Sequence, residues 1–246
     1  MSETFTKTRA GAPPLFFDRE AMGLRALAAA GARVPAVREV SDEGITIDRV
    51  EAGGHRTAAS EEAFGRELAA LHRTTGERYG ALDGEPRAYL GDCPVDLTPS
   101  DTFAESWLER RVVPLARECV ERGQLDPSSL ADAERLSAAH LGPVEPPTLV
   151  HGDLWAGNRL VDRRGHSWLI DPCAHHAHRE VDLAMMQLFG GFSGRVFAAY
   201  AEDLPLADGW EQRVPVFQTV PLLVHVLLFG GGYAVQAAEA LRAAAC

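Results

Sequence analysis

Leu149-Val150-His151-Gly152-Asp153-Leu154-Trp155-Ala156-Gly157-Asn158-Arg159-Leu160-Val161, followed shortly by Leu169-Ile170-Asp171, decides how the rest of this chain is read. An apolar pair runs into His-Gly-Asp, a polar loop ends at Asn158, and a hairpin returns to a second carboxylate. Three oxygen-bearing side chains therefore converge. Isolated Asp and Asn residues favour turns for purely local reasons. Here they recur at fixed spacing within a strand, a loop and a hairpin, which chance produces in roughly one case in ten or fewer.

The order Asp153, four residues, Asn158 matches the protein-kinase catalytic-loop pattern, with Gly152 in place of its Arg, and Asp171 stands where the metal-binding Asp follows. Phosphoryl transfer asks for these residue types. It leaves the protein little covalent work, so positioning and charge neutralisation dominate. Asn158 and Asp171 offer an amide carbonyl and a carboxylate, hard oxygen donors suited to Mg²⁺ shared with ATP phosphates. Asp153 remains for the acceptor, where it would take or orient the proton of an attacking hydroxyl.

With 246 residues and 46% hydrophobic content, the chain can bury one large core or two moderate ones. A net charge of −11 leaves no basic footprint for nucleic acid or an anionic membrane, so the expected partner is a small molecule. No charged segment precedes an N-terminal apolar run, and the longest apolar stretch, Val214 to Val235, is broken by Pro221, His225 and three glycines, which points to a cytoplasmic protein. Cys93, Cys119, Cys173 and Cys246 show no paired spacing and read as free thiols. Oligomeric state leaves no mark in the sequence.

In chain order, Glu3 to Arg9 alternates as a strand with Phe5 and Lys7 on one face. A helix from Arg19 to Ala30, capped by Asp18, carries Glu20. Lys7 and Glu20 have the order of the kinase phosphate-binding lysine and its helix glutamate. Two strands, Val34 to Val40 and Ile45 to Val50, follow, and backbone groups of Asp48, Arg49 and Val50 are expected to meet adenine. Residues 1–52 thus read as a reduced N-terminal lobe, and 53–246 as a helical catalytic lobe.

Within 53–246, Ser60 is expected to cap a helix ending near His72, and Gly76 to Ser100 reads as a long loop. Helices follow from Asp101 to about Arg122 and from Ser128 to His140, with Trp107 in the core. After Asp171, Cys173, His175, His176 and His178 suggest a zinc site, hence a metallohydrolase, as a competing class. Adjacent histidines reach one metal poorly, so this ranks second. Asp182 is expected to orient the catalytic-loop backbone, while His178 and Glu180 could face the substrate. The remainder reads as helical: Val181 to Phe189, Val196 to Glu202, a kinked run from Trp210 to Phe229, and Tyr233 to Ala244.

These stretches, with Ile170-Asp171-Pro172, His178-Arg179-Glu180-Val181-Asp182-Leu183-Ala184-Met185 and Leu188-Phe189-Gly190-Gly191-Phe192, resemble the fructosamine kinase (ketosamine-3-kinase) family. The wider likeness is to aminoglycoside phosphotransferases and choline kinases. The resemblance implies an α+β, protein kinase-like two-lobed fold and ATP-dependent phosphorylation of the sugar 3-hydroxyl of a small-molecule or protein-bound ketoamine, a deglycation activity. It implies Asp153 as catalytic base, Asn158 and Asp171 as magnesium ligands, Lys7 as the phosphate-binding lysine, and Trp155, His178, Glu180 and His225 along the sugar pocket. Members of the family begin with a strand, a Gly-containing phosphate loop and a second strand, whereas Met1 stands almost inside the lysine strand. The missing loop motivates an inactive pseudokinase as one alternative, and an aminoglycoside- or choline-type phosphotransferase is the other. His175 and His176 also replace aromatic residues usual in the family.

Overall fold

The computed structural model describes residues 3–246. Strand β1 (Thr4–Thr8), helix α1 (Phe16–Ala29), β2 (Val37–Ser41) and β3 (Gly44–Asp48) come first. They form an antiparallel sheet in the order β1-β3-β2, with Lys7 opposite Ile45 and Phe5 opposite Ile47. Alternation buries Ile45 and Ile47 against Phe17, Leu24 and Leu27 of α1. Helix α1 begins three residues before the expected Arg19. Its N-cap is Leu15 in the left-handed region at φ 66°, so Asp18 is no cap and instead places its carboxylate in the first turn, where the helix dipole favours it.

Helix α2 (Ala58–Leu71) is capped by Thr57 rather than Ser60. Thr57 Oγ1 accepts from Ser60 N at 3.2 Å, and Ser60 Oγ accepts from Thr57 N at 2.8 Å. Ser60 is thus the reciprocal partner in a capping box. The expected long loop from Gly76 to Ser100 holds a hairpin, β4 (Arg87–Leu90) and β5 (Cys93–Asp96), turning at Gly91-Asp92. A Gly-Asp pair between short apolar strands is a hairpin signal that the surrounding Pro and Gly residues obscure.

The long helix expected from Asp101 is present, as a π-helical segment (Glu105–Val112) running into α3 (Val113–Glu121). The next expected helix is shorter, α4 (Pro127–Arg135), and its last residues form a separate 3-10 turn (Ala138–Leu141). Strand β6 (Thr148–Val150), the hairpin β7 (Arg159–Val161) and β8 (Ser167–Leu169), and β9 (His175–Ala177) frame the loop of residues 151–158. Helices α5 (Glu180–Leu188), α6 (Gly194–Asp203), α7 (Trp210–Phe229) and α8 (Gly232–Ala244) complete the chain. By length and composition α7 could cross a membrane, but Phe217, Val220, Leu223 and Val226 are buried inside the fold. It packs as a core helix.

Two apolar cores result. One gathers Phe103, Trp107, Phe217 and Leu223 between the π-helical segment, α3 and α7. The other joins Leu24, Ile45, Leu68, Leu149, Leu154, Leu183 and Tyr200, so the N-terminal sheet and the strands around residues 151–158 share one interior. That shared interior keeps Lys7 in register with the loop that follows Leu149.

Helix α2 and α6 touch closely at Gly65, where an added Cβ would lie 2.3 Å from Val196 O and 3.0 Å from Ala199 Cβ. Helix propensity alone makes Gly→Ala stabilising by about 0.5–1 kcal/mol. Backbone contact at 2.3 Å reverses the sign. Gly65→Ala is expected to destabilise the fold by about 1–3 kcal/mol, read as a lower urea midpoint, and a raised midpoint contradicts the close approach.

Candidate active site

The loop between β6 and β7 is fixed from beneath by one carboxylate. Asp182 Oδ2 accepts from His151 N at 2.7 Å and Oδ1 from Gly152 N at 2.9 Å, while His72 Nε2 stands 3.2 Å from Oδ2 and Tyr200 Oη 2.8 Å from His72 Nδ1. The expectation that Asp182 orients the loop backbone matches this geometry. Burial alone would raise the Asp182 pKa, but the His72 hydrogen bond, the charges of His72 and His151 and the His151 N–H outweigh it and hold it below the usual value. His151 Nε2 donates to Ile170 O at 3.0 Å, so its Nδ1 is the acceptor for Asp153 N at 3.3 Å. Gly152 has φ +80°, and a Cβ there would lie 2.1 Å from Cys173 O. Only glycine allows this packing.

Above this base, Asn158 Nδ2 donates to Asp153 Oδ2 at 3.0 Å and to Asp153 O at 2.8 Å. The amide nitrogen is thereby spent, and Oδ1 is the Asn158 atom left for a cation. Ile170 N donates to Asn158 O at 3.1 Å, which brings the β7–β8 hairpin end and Asp171 alongside. Asp171 adopts φ +55°, a conformation that costs a non-glycine residue about 1–3 kcal/mol and clusters at functional positions. Lys7 Nζ lies 2.6 Å from Glu20 Oε1 and also pairs with Asp171. Burial lowers the Lys7 pKa, but the two carboxylates more than offset it, so the ammonium stays charged.

Asp153, Asn158, Asp171, Lys7 and Glu20 line one cavity of about 390 Å³. Among the described residues no group of three or more His, Cys, Asp or Glu side chains is arranged to hold a metal ion. A carboxylate plus an amide oxygen instead fits Mg²⁺, which keeps few protein ligands and takes the rest from phosphates and water. Burial pushes the Asp153 carboxyl up to about 7, although the Asn158 hydrogen bond works against it.

An adjoining cavity of about 590 Å³ has Phe5 and Ile47 on one side, Leu160 and Ile170 on the other, and Asp48, Arg49 and Val50 along its edge. Its apolar walls suit a planar base. Asp48 N donates to Ala36 O and Arg49 N to Glu3 O, and the Asp48 carboxylate forms two hydrogen bonds to Arg38. Of the three expected hinge residues, Val50 is therefore the one whose amide has no backbone partner among the described residues.

On the other side of Asp153 lies a pocket of about 340 Å³ lined by Trp155, Met185, Phe189, His225, Phe229 and Tyr233 among others. Trp155 and His225 thus stand where a substrate could meet Asp153. His178 and Glu180 do not. His178 is buried between Phe103 and Phe217, with ring centroids 5.7 and 5.2 Å away, and Glu180 is 1% exposed and paired with Arg213 at 2.5 and 2.9 Å. Glu180 opens α5, whose first turn is buried, and His178 lies just before it.

The histidines of the zinc alternative also point apart. His175 Nδ1 donates to Cys173 O at 2.8 Å, so Nε2 accepts from Arg111 Nη1 at 2.9 Å, whereas His178 sits in the aromatic core. His176 faces Gly76 instead. Arg111 was missed by sequence reasoning. Its guanidinium is buried, held by Ser106 O, Ser106 Oγ, His175 and the Trp107 ring at 4.7 Å, directly under the loop. The signal was present: Arg111 shares a helical face with Trp107, Leu108 and Leu115.

A family model described as fructosamine kinase matches residues 1–245. A Thermus thermophilus protein named a probable ketoamine kinase is 40% identical over 228 residues, 92% of this chain and 82% of the relative. The crystal structure of a Thermobifida fusca protein, provisionally named a fructosamine-3-kinase, superposes with a TM-score of 0.91 at 38% identity, over 99% of this chain and 85% of that one. A provisionally named fructosamine-3-kinase from Haemophilus somnus gives 0.84 at 22% identity, over 97% and 82%, a likeness of fold. The two-lobed α+β architecture is that of the kinase-like fold.

The buried His178 carries its own test. Burial lowers its pKa to about 4 from 6.5, so below 6.5 the unfolded chain takes up a proton that the folded chain refuses. Stability should fall as pH drops from 6.5 toward 4, with this residue contributing up to about 1.4 kcal/mol per pH unit. His178→Asn, whose Oδ1 can accept from Glu180 N, is expected to flatten that slope by about one proton in urea titrations across the range. An unchanged slope would mean that His178 is not the group resisting protonation.

Proposed function

From the premise that the chain belongs to the fructosamine kinase family, we propose that it phosphorylates the sugar 3-hydroxyl of a ketosamine, drawing the phosphoryl group from ATP. The observation that carries this reading is the position of Asp153, which borders both the cavity lined by Lys7, Asn158 and Asp171 and the aromatic pocket of Trp155 and His225. One carboxylate therefore faces a donor side and an acceptor side. Such a border is what in-line transfer between two bound molecules requires.

In this reading the adenine lies between Phe5, Ile47, Leu160 and Ile170, with the Val50 amide at its edge. Lys7, steadied by Glu20, binds phosphate oxygens. Mg²⁺, held by Asn158 Oδ1 and Asp171, would neutralise charge on the transferring group. Asp153 accepts the proton of the ketosamine hydroxyl as the oxygen attacks the γ-phosphorus. Trp155 and His225 flank the sugar. The phosphorylated ketosamine then decomposes and frees its amine, which makes the activity a deglycation. Four free cysteines, three of them buried, suit a reducing cytoplasm.

The experiment is a steady-state assay of the purified chain with Mg-ATP and fructosyl-lysine. Wild-type protein is expected to form ADP and a sugar phosphate together. Asp153→Asn should lower turnover by roughly 10²–10⁴ while ATP affinity and the thermal midpoint stay nearly unchanged. Turnover equal to wild type would remove Asp153 from proton transfer.

A further inference from the structure

The acceptor pocket continues well past the sugar position. From Trp155 the rings follow one another outward: Phe189 at 6.2 Å, then His225 at 5.2 Å from Phe189, then Tyr233 at 4.9 Å and Phe229 at 5.5 Å from His225. Phe229 and Tyr233 are themselves 6.0 Å apart. The break at Gly230-Gly231 between α7 and α8 folds Tyr233 back beside His225. His225 Nδ1 donates to Pro221 O at 2.6 Å, which fixes the ring in the wall. Leu90, Met185, Pro221, Val224 and Leu228 fill the gaps, and apart from Asp153 no Lys, Arg, Asp or Glu lines the pocket.

This wall is also where the molecule leaves aromatic surface uncovered. Trp155, Phe189 and Phe229 are 41%, 39% and 67% exposed, and they are three of the six large hydrophobic residues exposed among those described. An apolar concentration of that kind, continuous with a reactive carboxylate, marks a binding surface rather than scattered exposure.

We infer that this wall makes the enzyme select ketosamines whose amine carries an apolar, preferably aromatic, group, and disfavour those with a carboxylate close to the nitrogen. The inference rests on the kinase reading above. With the 3-hydroxyl at Asp153, the amine nitrogen is three bonds beyond C3, so nitrogen and substituent extend along the ring series. A protonated secondary amine is attracted by the faces of Trp155 and Phe189. An apolar substituent gains by covering Phe229 and Tyr233. A carboxylate next to the nitrogen would lose water against rings, near the negative Asp153, with no cationic side chain in the lining.

The test measures kcat/KM for fructosyl-benzylamine, fructosyl-glycine and fructosyl-lysine with Mg-ATP, using the full chain. The benzylamine conjugate is expected to exceed the glycine conjugate by about tenfold or more, roughly what covering part of one ring supplies. Phe229→Ala and Tyr233→Ala should each narrow that ratio at least about threefold, chiefly through KM. Phe229 is largely exposed, so its replacement leaves the core intact, and circular dichroism checks this. Equal values for the two conjugates, a preference for glycine, or a ratio insensitive to both substitutions would overturn the inference and leave the kinase reading standing. Phosphorylation of none of the three substrates would overturn the kinase reading and the inference with it.

Discussion

The carboxylate of Asp182 sits where water cannot reach it, and the loop that carries Asp153 exists in its observed shape because that carboxylate must be satisfied there. A buried charge without partners costs far more than a loop can return. Its two oxygens accept from the backbone of His151 and Gly152 and from His72, which Tyr200 in turn orients. Helix α5 thereby dictates the path of the chain thirty residues upstream. Once His151 and Gly152 are pinned, Asp153 has little freedom, and the His151 ring passes the constraint on to Ile170 O and hence to Asp171. The first side of the site is built on a fully desolvated hydrogen-bond network, the kind of support that holds a reacting group within small tolerances.

The second side is built on charge. Lys7 comes from β1, Glu20 from α1 and Asp171 from the β8–β9 connection; the shared apolar interior brings these elements together, and charge pairs their side chains. Two carboxylates around one ammonium leave the group net negative, a state that favours arrival of a further cation and makes Asp171 a shared rather than a private partner of the lysine. The strained backbone at Asp171 fits the same picture, since Pro172 follows and disfavours helical conformations before it. Strain of that size survives only where the surroundings over-determine it. Here Ile170 is held at both its amide and its carbonyl, by Asn158 O and His151.

What was legible in the sequence follows from how local the determinants are. Asp153, Asn158 and Asp171 were readable because their spacing within one loop and one hairpin fixes their convergence before any long-range packing is known. Lys7 with Glu20 was readable as an order of elements, and the structure joins them at 2.6 Å. His178 and Glu180 misled because they lie near Asp171 and Asp182 in sequence, yet His178 precedes α5 inside the aromatic core and Glu180 opens α5 fully buried, placements that only tertiary packing sets. The hairpin at Gly91 and the role of Arg111 were hidden for opposite reasons. The first is a weak local signal among prolines, while the second is a charge on an apolar helix face whose partners, Ser106 and His175, stand 5 and 64 residues away.

The position of Asp153 between two differently furnished cavities is what the proposed transfer would draw on. On the donor side it is adjacent to an ammonium, an amide and a second carboxylate; on the acceptor side it meets rings and aliphatic chains alone. Burial is the main reason its pKa is raised, and a carboxylate held closer to neutrality would take and return a proton with less penalty than a solvated one. On the proposed reading, a sugar that covers Trp155 and His225 would gain from the apolar area it buries there. The apolar wall and the charged donor side therefore meet at a single carboxylate, which is the physical asymmetry the proposed reading rests on.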